Sequence, residues 1–373
     1  MSSPFLSLLS LGALAASVVG SPLPVPEMPR LAPRAVSDFQ CFNASLPNIT
    51  IYATGGTIAG SAGSADQTTG YQAGALGIQA LIDAVPQLCN VSNVRGVQIA
   101  NVDSGDVNST ILTNLTHQIQ ADLDNPHTQG VVVTHGTDTL EESSFFLDLT
   151  IKSEKPVVIV GSMRPATALS ADGPINLLSA VRLAGSKSAQ NRGALIVLND
   201  RIASARYTIK AHANSLDTFK AEDQGYLGAF ENIHPVFWYP PVRPLGHHYF
   251  NISTHSVDKA LPQVDVLYGH QEVDPELFQA AIDSGAKGIV LAGLGAGGWP
   301  TEAVENLEKV LKKTDVPVIV SRRTAWGFVE EKTYGIGAGY LNPAKSRIQL
   351  QLALEKGLSN EEIKEIFEYN NVA

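Results

Sequence analysis

Two short stretches set threonines beside glycines directly after apolar, β-branched runs. The first is Thr50-Ile-Tyr-Ala-Thr-Gly-Gly-Thr-Ile-Ala-Gly60, with side-chain hydroxyls at Thr54 and Thr57. The second is Val131-Val-Val-Thr-His-Gly-Thr-Asp-Thr-Leu-Glu-Glu142, which offers Thr134, His135, Thr137 and Asp138. A hydroxyl is a weak nucleophile until a base or a neighbouring charge activates it. The chemistry suggested is attack by one threonine on an electrophilic carbon, with polar partners moving the proton. His135 is a candidate base, although a histidine beside glycine in a tight turn is as often structural. Candidate cations lie in Asp200-Arg-Ile-Ala-Ser-Ala-Arg-Tyr-Thr-Ile-Lys210. A lysine suits proton transfer because its pKa responds to burial, but spacing alone does not choose Lys210 over Arg201 or Arg206. Thr139 and Glu142 read as a capping box, a structural role. The first loop has no lysine after its glycines and does not fit Gly-x-Gly-x-x-Gly, which argues against a nucleotide-binding module.

The elements that position these loops follow one plan: an apolar run, a turn, then a helical pattern. The runs at residues 49–53, 130–133, 156–160 and 194–198 are nearly continuous in Val, Ile and Leu, as in strands buried on both faces. Ile111, Leu115, Ile119 and Leu123 recur at helical spacing, and Leu76, Leu81, Ile82 and Val85 form another apolar face. Strands alternating with helices imply an α/β fold with a doubly wound, mainly parallel sheet. Parallel strands bring their carboxyl ends to one edge, so the two threonine loops meet if their strands are neighbours. Prolines at 235, 240, 241, 244 and 262 interrupt the rhythm. The plan then resumes with strands at 264–268, 288–292 and 316–320 and helices at 275–284 and 301–312, and two helices close the chain from Pro343. The expected organisation is a larger N-terminal α/β catalytic domain over 47–240, a linker over 241–262 and a smaller C-terminal α/β domain over 263–373.

A chain of 373 residues is long for one core and suits two domains. Its net charge of −10 argues against nucleic acid as a partner, since phosphate binding needs a basic face. The apolar run from Phe5 to Val19 is of signal-peptide length and short for a membrane span, though no Lys or Arg precedes it. Residues 1–20 are read as a signal peptide and 21–46 as a pro-segment or flexible lead, with order beginning near Leu46. Six Asn-x-Ser/Thr sequons, at Asn43, Asn48, Asn90, Asn108, Asn114 and Asn251, add to the expectation of a secreted, extracellular glycoprotein. Cys41 and Cys89 are then free to pair.

The chain resembles the bacterial-type L-asparaginases, a family that includes asparaginase–glutaminases. The likeness runs from Leu46 to about Tyr369 and rests on Ala53-Thr-Gly-Gly-Thr-Ile-Ala-Gly60 and Thr134-His-Gly-Thr-Asp-Thr-Leu-Glu-Glu142, with further blocks at 161–174 and 191–193. It is most similar to the secreted, type II branch. The resemblance implies that Thr57 is the nucleophile, forming an acyl-enzyme on the side-chain amide carbon. It implies that Tyr71 closes over the site and assists Thr57. Thr137 matches the second catalytic threonine, and Lys210 the lysine paired with it. Asp138 matches the residue that holds the substrate α-amino group, and Ser104 the one that contacts the α-carboxylate. The implied reaction turns L-asparagine and water into L-aspartate and ammonia, with no cofactor and no metal.

Three positions depart from the family pattern. Gly105 stands where the family often has Gln or Glu on the α-amino group, and the missing clamp is expected to weaken glutamine more than asparagine. Gly298 replaces an Asn or Ser that reaches in from a neighbouring subunit. A glutamate from that neighbour is matched by Glu330 or Glu331, with Glu330 taken as the substrate-binding candidate. The resemblance thus implies a homotetramer with sites between subunits, acting on a small-molecule substrate and not on nucleic acid or a membrane. The alternatives are a broad asparaginase–glutaminase and a non-catalytic amino-acid-binding protein, which would need Asp138 and Ser104 but not Thr57, Thr137 and Lys210 together.

Overall fold

The structure, a computed structural model, describes residues 39–368. The signal peptide and most of the pro-segment expected from the sequence lie outside these residues. The chain is already held at Gln40, whose N–H donates to the Val94 carbonyl (2.8 Å), and Cys41 is disulfide-bonded to Cys89. Order therefore sets in before Leu46.

The first sheet contains β1 (Asn48–Gly55), β2 (Asn93–Val102), β3 (Gly130–Thr134), β4 (Val157–Val160), β5 (Ala194–Leu198) and β6 (Arg201–Ser204). The short β7 (Ile209–Lys210) and β8 (Phe219–Lys220) pair only with each other, and β9 (Gly228–Glu231) and β10 (His234–Phe237) complete the edge. Its order is β10-β9-β6-β5-β4-β3-β1-β2. Strands β2, β1, β3, β4 and β5 run parallel, and β6, β9 and β10 are antiparallel. The chain leaves β1 for β2 on one side and then returns to β3 on the other. The carboxyl ends of β1 and β3 therefore flank the reversal in strand order, which is where open α/β sheets bind ligands.

Strands β3, β4 and β5 are buried at every residue, as their unbroken apolar runs require. Helices α1 (Ile78–Asp83), α2 (Ser109–Asp124), α3 (Leu140–Thr150) and α4 (Gly173–Ala184) cover the two faces. Ile51, Val132 and Val158 pack with Ile82 of α1 and Val181 of α4. The alternate residues Tyr52, Val133 and Ile159 pack with Ile119 of α2 and Leu147 of α3.

The second sheet is wholly parallel: β11 (Val264–Tyr268), β12 (Gly288–Gly293), β13 (Val318–Arg322) and β14 (Ile336–Gly337), in that order. Helices α5 (Leu277–Asp283) and α6 (Thr301–Leu311) pack on one face through Phe278 and Leu307. Helix α7 (Pro343–Glu355) packs on the other with α8 (Asn360–Phe367), and that cluster also contains Phe145, Phe146 and Leu149 of α3. The ion pair Arg347–Glu142 (3.1 Å) adds a polar tie between α7 and α3. This is the expected architecture, a large mainly parallel sheet with a smaller α/β unit beside it. No helix or strand lies between Phe237 and Val264.

Candidate active site

The loops after β1 and β3 touch at their glycines. A Cβ on Gly56 would stand 2.2 Å from Gly136 Cα, and one on Gly136 would stand 2.8 Å from Ser104 Oγ. Only residues without side chains let these backbones lie together. Thr54 Oγ1 donates to the Thr134 carbonyl (3.0 Å), pinning the second loop to the first. Thr54 is thereby a positioning group, and of the two hydroxyls only Thr57 lines the cavity described next.

A cavity of about 470 Å³ opens over this junction, and Thr57, Tyr71, Ser104, Thr137, Asp138 and Lys210 all line it. Thr57 Oγ1 and Tyr71 OH lie 2.7 Å apart. Tyr71 arrives on a strap that leaves Gly60 and returns at Gly74. Ser61 and Gln72 pair across the strap through both backbone groups, and Gly74 N–H donates to the Gly56 carbonyl (3.0 Å). Burial raises the Tyr71 pKa above its ordinary value; Asp138, Asp103 and Asp172 push it the same way, while the Thr57 hydrogen bond opposes them. At neutral pH it is a phenol, not a standing phenolate base.

On the β3 side, Lys210 Nζ donates to Thr137 Oγ1 (2.9 Å) and forms an ion pair with Asp138. Lys210 is largely buried and the Asp138 carboxylate is exposed to the cavity. The geometry thus chooses among the three cations. Arg206 is buried over the Phe145 ring, Arg201 lies over Tyr226, and neither lines the cavity. Ser104 opens a single 3-10 turn after β2, with Asp103 as its cap. Asp103, Thr68, Thr69, Met163, Arg164 and Asn214 also line the cavity, and sequence reasoning missed them. An acidic residue directly before Ser104 was the one available signal.

Two expectations change. His135 is not a base for either threonine: it is fully buried, absent from the cavity, and its Nδ1 donates to the Gly136 carbonyl (2.7 Å). Burial lowers its pKa to about 4, so the ring is neutral and structural. The capping box at Thr139 does not form, because Thr139 Oγ1 turns away to donate to the Ser104 carbonyl (2.7 Å). Glu330, expected to act at a neighbouring subunit's site, lies outside its own chain's cavity, in a separate hollow with Phe328, Glu331 and Lys364. A Cβ on Gly105 would meet nothing within 4 Å, so the missing side chain leaves open space. Among the described residues, no group of three or more His, Cys, Asp or Glu side chains is arranged to hold a metal ion, and no helix is long and apolar enough to cross a membrane.

Residues 48–243 match the family described as "Asparaginase, N-terminal", and residues 263–367 match "Glutaminase/Asparaginase C-terminal domain". The chain belongs to the L-asparaginase family. It is 48% identical over 332 residues to "Probable L-asparaginase 3" of Schizosaccharomyces pombe, covering 89% of this chain and 91% of that one. It is 50% identical over 329 residues to "L-asparaginase 2-3" of Saccharomyces cerevisiae, covering 87% and 91%. Among solved structures it is similar to a "Probable Cytoplasmic L-asparaginase from Campylobacter jejuni", with a TM-score of 0.82 and 42% identity over 87% of this chain and all of that one. That last likeness corrects the localisation read from the leader and the sequons. A relative described as cytoplasmic shares the fold over 87% of this chain, and the residues that carry the leader lie outside the described ones. The secreted, extracellular assignment is withdrawn.

Proposed function

We propose that this L-asparaginase hydrolyses the side-chain amide of L-asparagine to L-aspartate and ammonia through a Thr57 acyl-enzyme. The observation that carries the reading is that one cavity holds two threonine hydroxyls, each with its own proton partner, beside an exposed carboxylate. An amino-acid substrate carries both charges at one end and a neutral amide at the other. Asp138 takes the α-ammonium and Ser104 the α-carboxylate, which presents the amide carbon to Thr57. Thr57 Oγ forms a bond to that carbon as its proton passes to the Tyr71 hydroxyl, which gives its own phenol proton on toward the departing nitrogen. The C–N bond breaks and the nitrogen leaves as ammonia after gaining a proton. A water then adds to the ester, its proton handled through Thr137 and Lys210, and the C–Oγ bond breaks to restore Thr57. Glu330 completes the site of a neighbouring subunit in a homotetramer. Its position in a hollow apart from its own chain's cavity supports that role.

A second reading, asparaginase–glutaminase, is supported by the size of the cavity, about 470 Å³, and opposed by the missing side chain at Gly105. Ammonia release from asparagine and glutamine under matched conditions separates the two, and equal efficiencies establish the broad activity. Thr57→Ala and Thr137→Val are each expected to remove nearly all turnover while the protein stays folded, since each loses one hydroxyl at a cavity wall. Full activity in either variant overturns the role given to that residue.

A further inference from the structure

Lys210 reaches Thr137 from a strand of two residues, β7, whose only sheet partner is the equally short β8. Such a ribbon is weak by itself. Two side chains from outside it hold the backbone leading into Lys210. Glu141, one turn beyond Asp138 at the start of α3, accepts the Lys210 backbone N–H on Oε2 (3.1 Å). Lys345, fully buried on α7, donates from Nζ to the Thr208 carbonyl. Asn342, the N-cap of α7, donates to the other Glu141 oxygen (3.4 Å). Residues 208–210 are thus gripped by an amide and a carbonyl two residues apart, from α3 on one side and α7 on the other.

We infer that Glu141 and Lys345 form a clamp that positions Lys210 against Thr137, so that α7 of the smaller unit supports chemistry in the larger one. This rests on Lys210 acting in catalysis as proposed above. The proton partner of Thr137 needs fixed placement more than flexibility, because misplacement by about 1 Å costs on the order of 100-fold in rate. A long, flexible lysine stem on a two-residue strand does not fix itself. The residues that supply the fixing are both costly to bury. Burial raises Glu141 above its ordinary carboxyl value and lowers Lys345 to about 8, and each is partly offset by the other's charge. An apolar pair would pack here without that cost, and it would leave the Thr208 carbonyl and the Lys210 amide without these partners.

The test is a kcat and KM series with thermal unfolding beside it. Glu141→Ala is expected to lower kcat at least 30-fold, with KM for asparagine within threefold of wild type. Glu141→Gln keeps a neutral oxygen for the Lys210 N–H and is expected to recover kcat to within about fivefold. Glu141→Asp keeps the charge and the fold but withdraws the acceptor by one methylene; it is expected to lose kcat at least tenfold. Wild-type kcat in folded Glu141→Ala or Glu141→Asp overturns the clamp. So does a Glu141→Gln variant as slow as Glu141→Ala, since the charge and not the acceptor would then matter. Lys210→Met is measured alongside. If it retains full turnover, the role of Lys210 fails; if it is dead while Glu141→Ala is active, only the clamp fails.

Discussion

Replacing Gly56 with alanine should disable the site through backbone geometry alone. Gly56 sits at φ 78° and ψ −168°, a region that is essentially glycine-only and costs other residues about 1–3 kcal/mol. The added Cβ would lie 2.2 Å from Gly136 Cα and 2.3 Å from Gly136 N, both backbone atoms that cannot swing aside. Ordinary contact begins near 3.4 Å, so the loops must part by about 1.2 Å. Thr57 is the next residue after Gly56, and Thr137 the next after Gly136. The separation therefore passes directly into the distance between Thr57 and Thr137, the two threonines proposed to act in catalysis. A displacement of this size is expected to lower kcat about 100-fold, equivalent to about 2.7 kcal/mol of barrier. Ammonia release at saturating asparagine measures it, normalised to folded protein by circular dichroism and thermal unfolding. Gly63→Ala, whose Cβ would meet only the tip of Gln67 at 3.5 Å, is the matched control and should behave as wild type. A folded Gly56→Ala enzyme with kcat within threefold of wild type refutes the argument.

His135 gives the protein an acid-sensitive component of stability. Its pKa falls from 6.5 to about 4 on folding, so the unfolded chain binds the extra proton between those values. Stability from this residue is fully present above pH 6.5 and is lost as the pH falls toward 4. Between pH 7.5 and pH 5 the loss is about 2 kcal/mol. Chemical denaturation at both pH values should show a smaller pH effect in His135→Gln, and an unchanged difference would exclude His135 as its source. The disulfide Cys41–Cys89 closes a separation of 48 residues, for which chain entropy predicts a contribution of about 4 kcal/mol. Reduction should lower the unfolding midpoint while turnover at 25 °C is unchanged, because neither cysteine lines the cavity; an unmoved midpoint would show that the cross-link does not restrict the unfolded chain.

The central strands were readable because burial on both faces leaves no alternative to continuous Val, Ile and Leu. Strand β2 was not, because it lies at the sheet edge and carries Arg95, Gly96 and Gln98 among its apolar residues. Ser104, which follows β2, could therefore be placed only through family resemblance. The antiparallel strands were missed for a different reason. The β5–β6 turn at Asn199 and Asp200 and the β9–β10 turn at Asn232 and Ile233 all have positive φ, the geometry of tight two-residue hairpins. Neither contains the glycine that usually announces such a turn, and Ile233 is a β-branched residue that rarely adopts it. The threonine loops were legible as a pair from hydroxyls and glycines alone. The choice of Lys210 over Arg201 and Arg206 was not, because β7 is placed by contacts with α3 and α7 that no local pattern encodes.

The reversal in strand order has a consequence for the making of the protein. Thr57 leaves the ribosome long before Thr137 and Lys210, and Lys345 comes later still. At about 5–20 residues per second, the interval between Thr57 and Lys210 is roughly 8–30 s, and the interval to Lys345 roughly twice that. During it β1 can pair with β2, but its other edge waits for β3. A growing chain therefore carries Thr57, the proposed nucleophile, and Tyr71 before Thr137 and Lys210 exist to complete the site. On the proposed mechanism, hydrolysis begins only when these distant parts of the chain have come together.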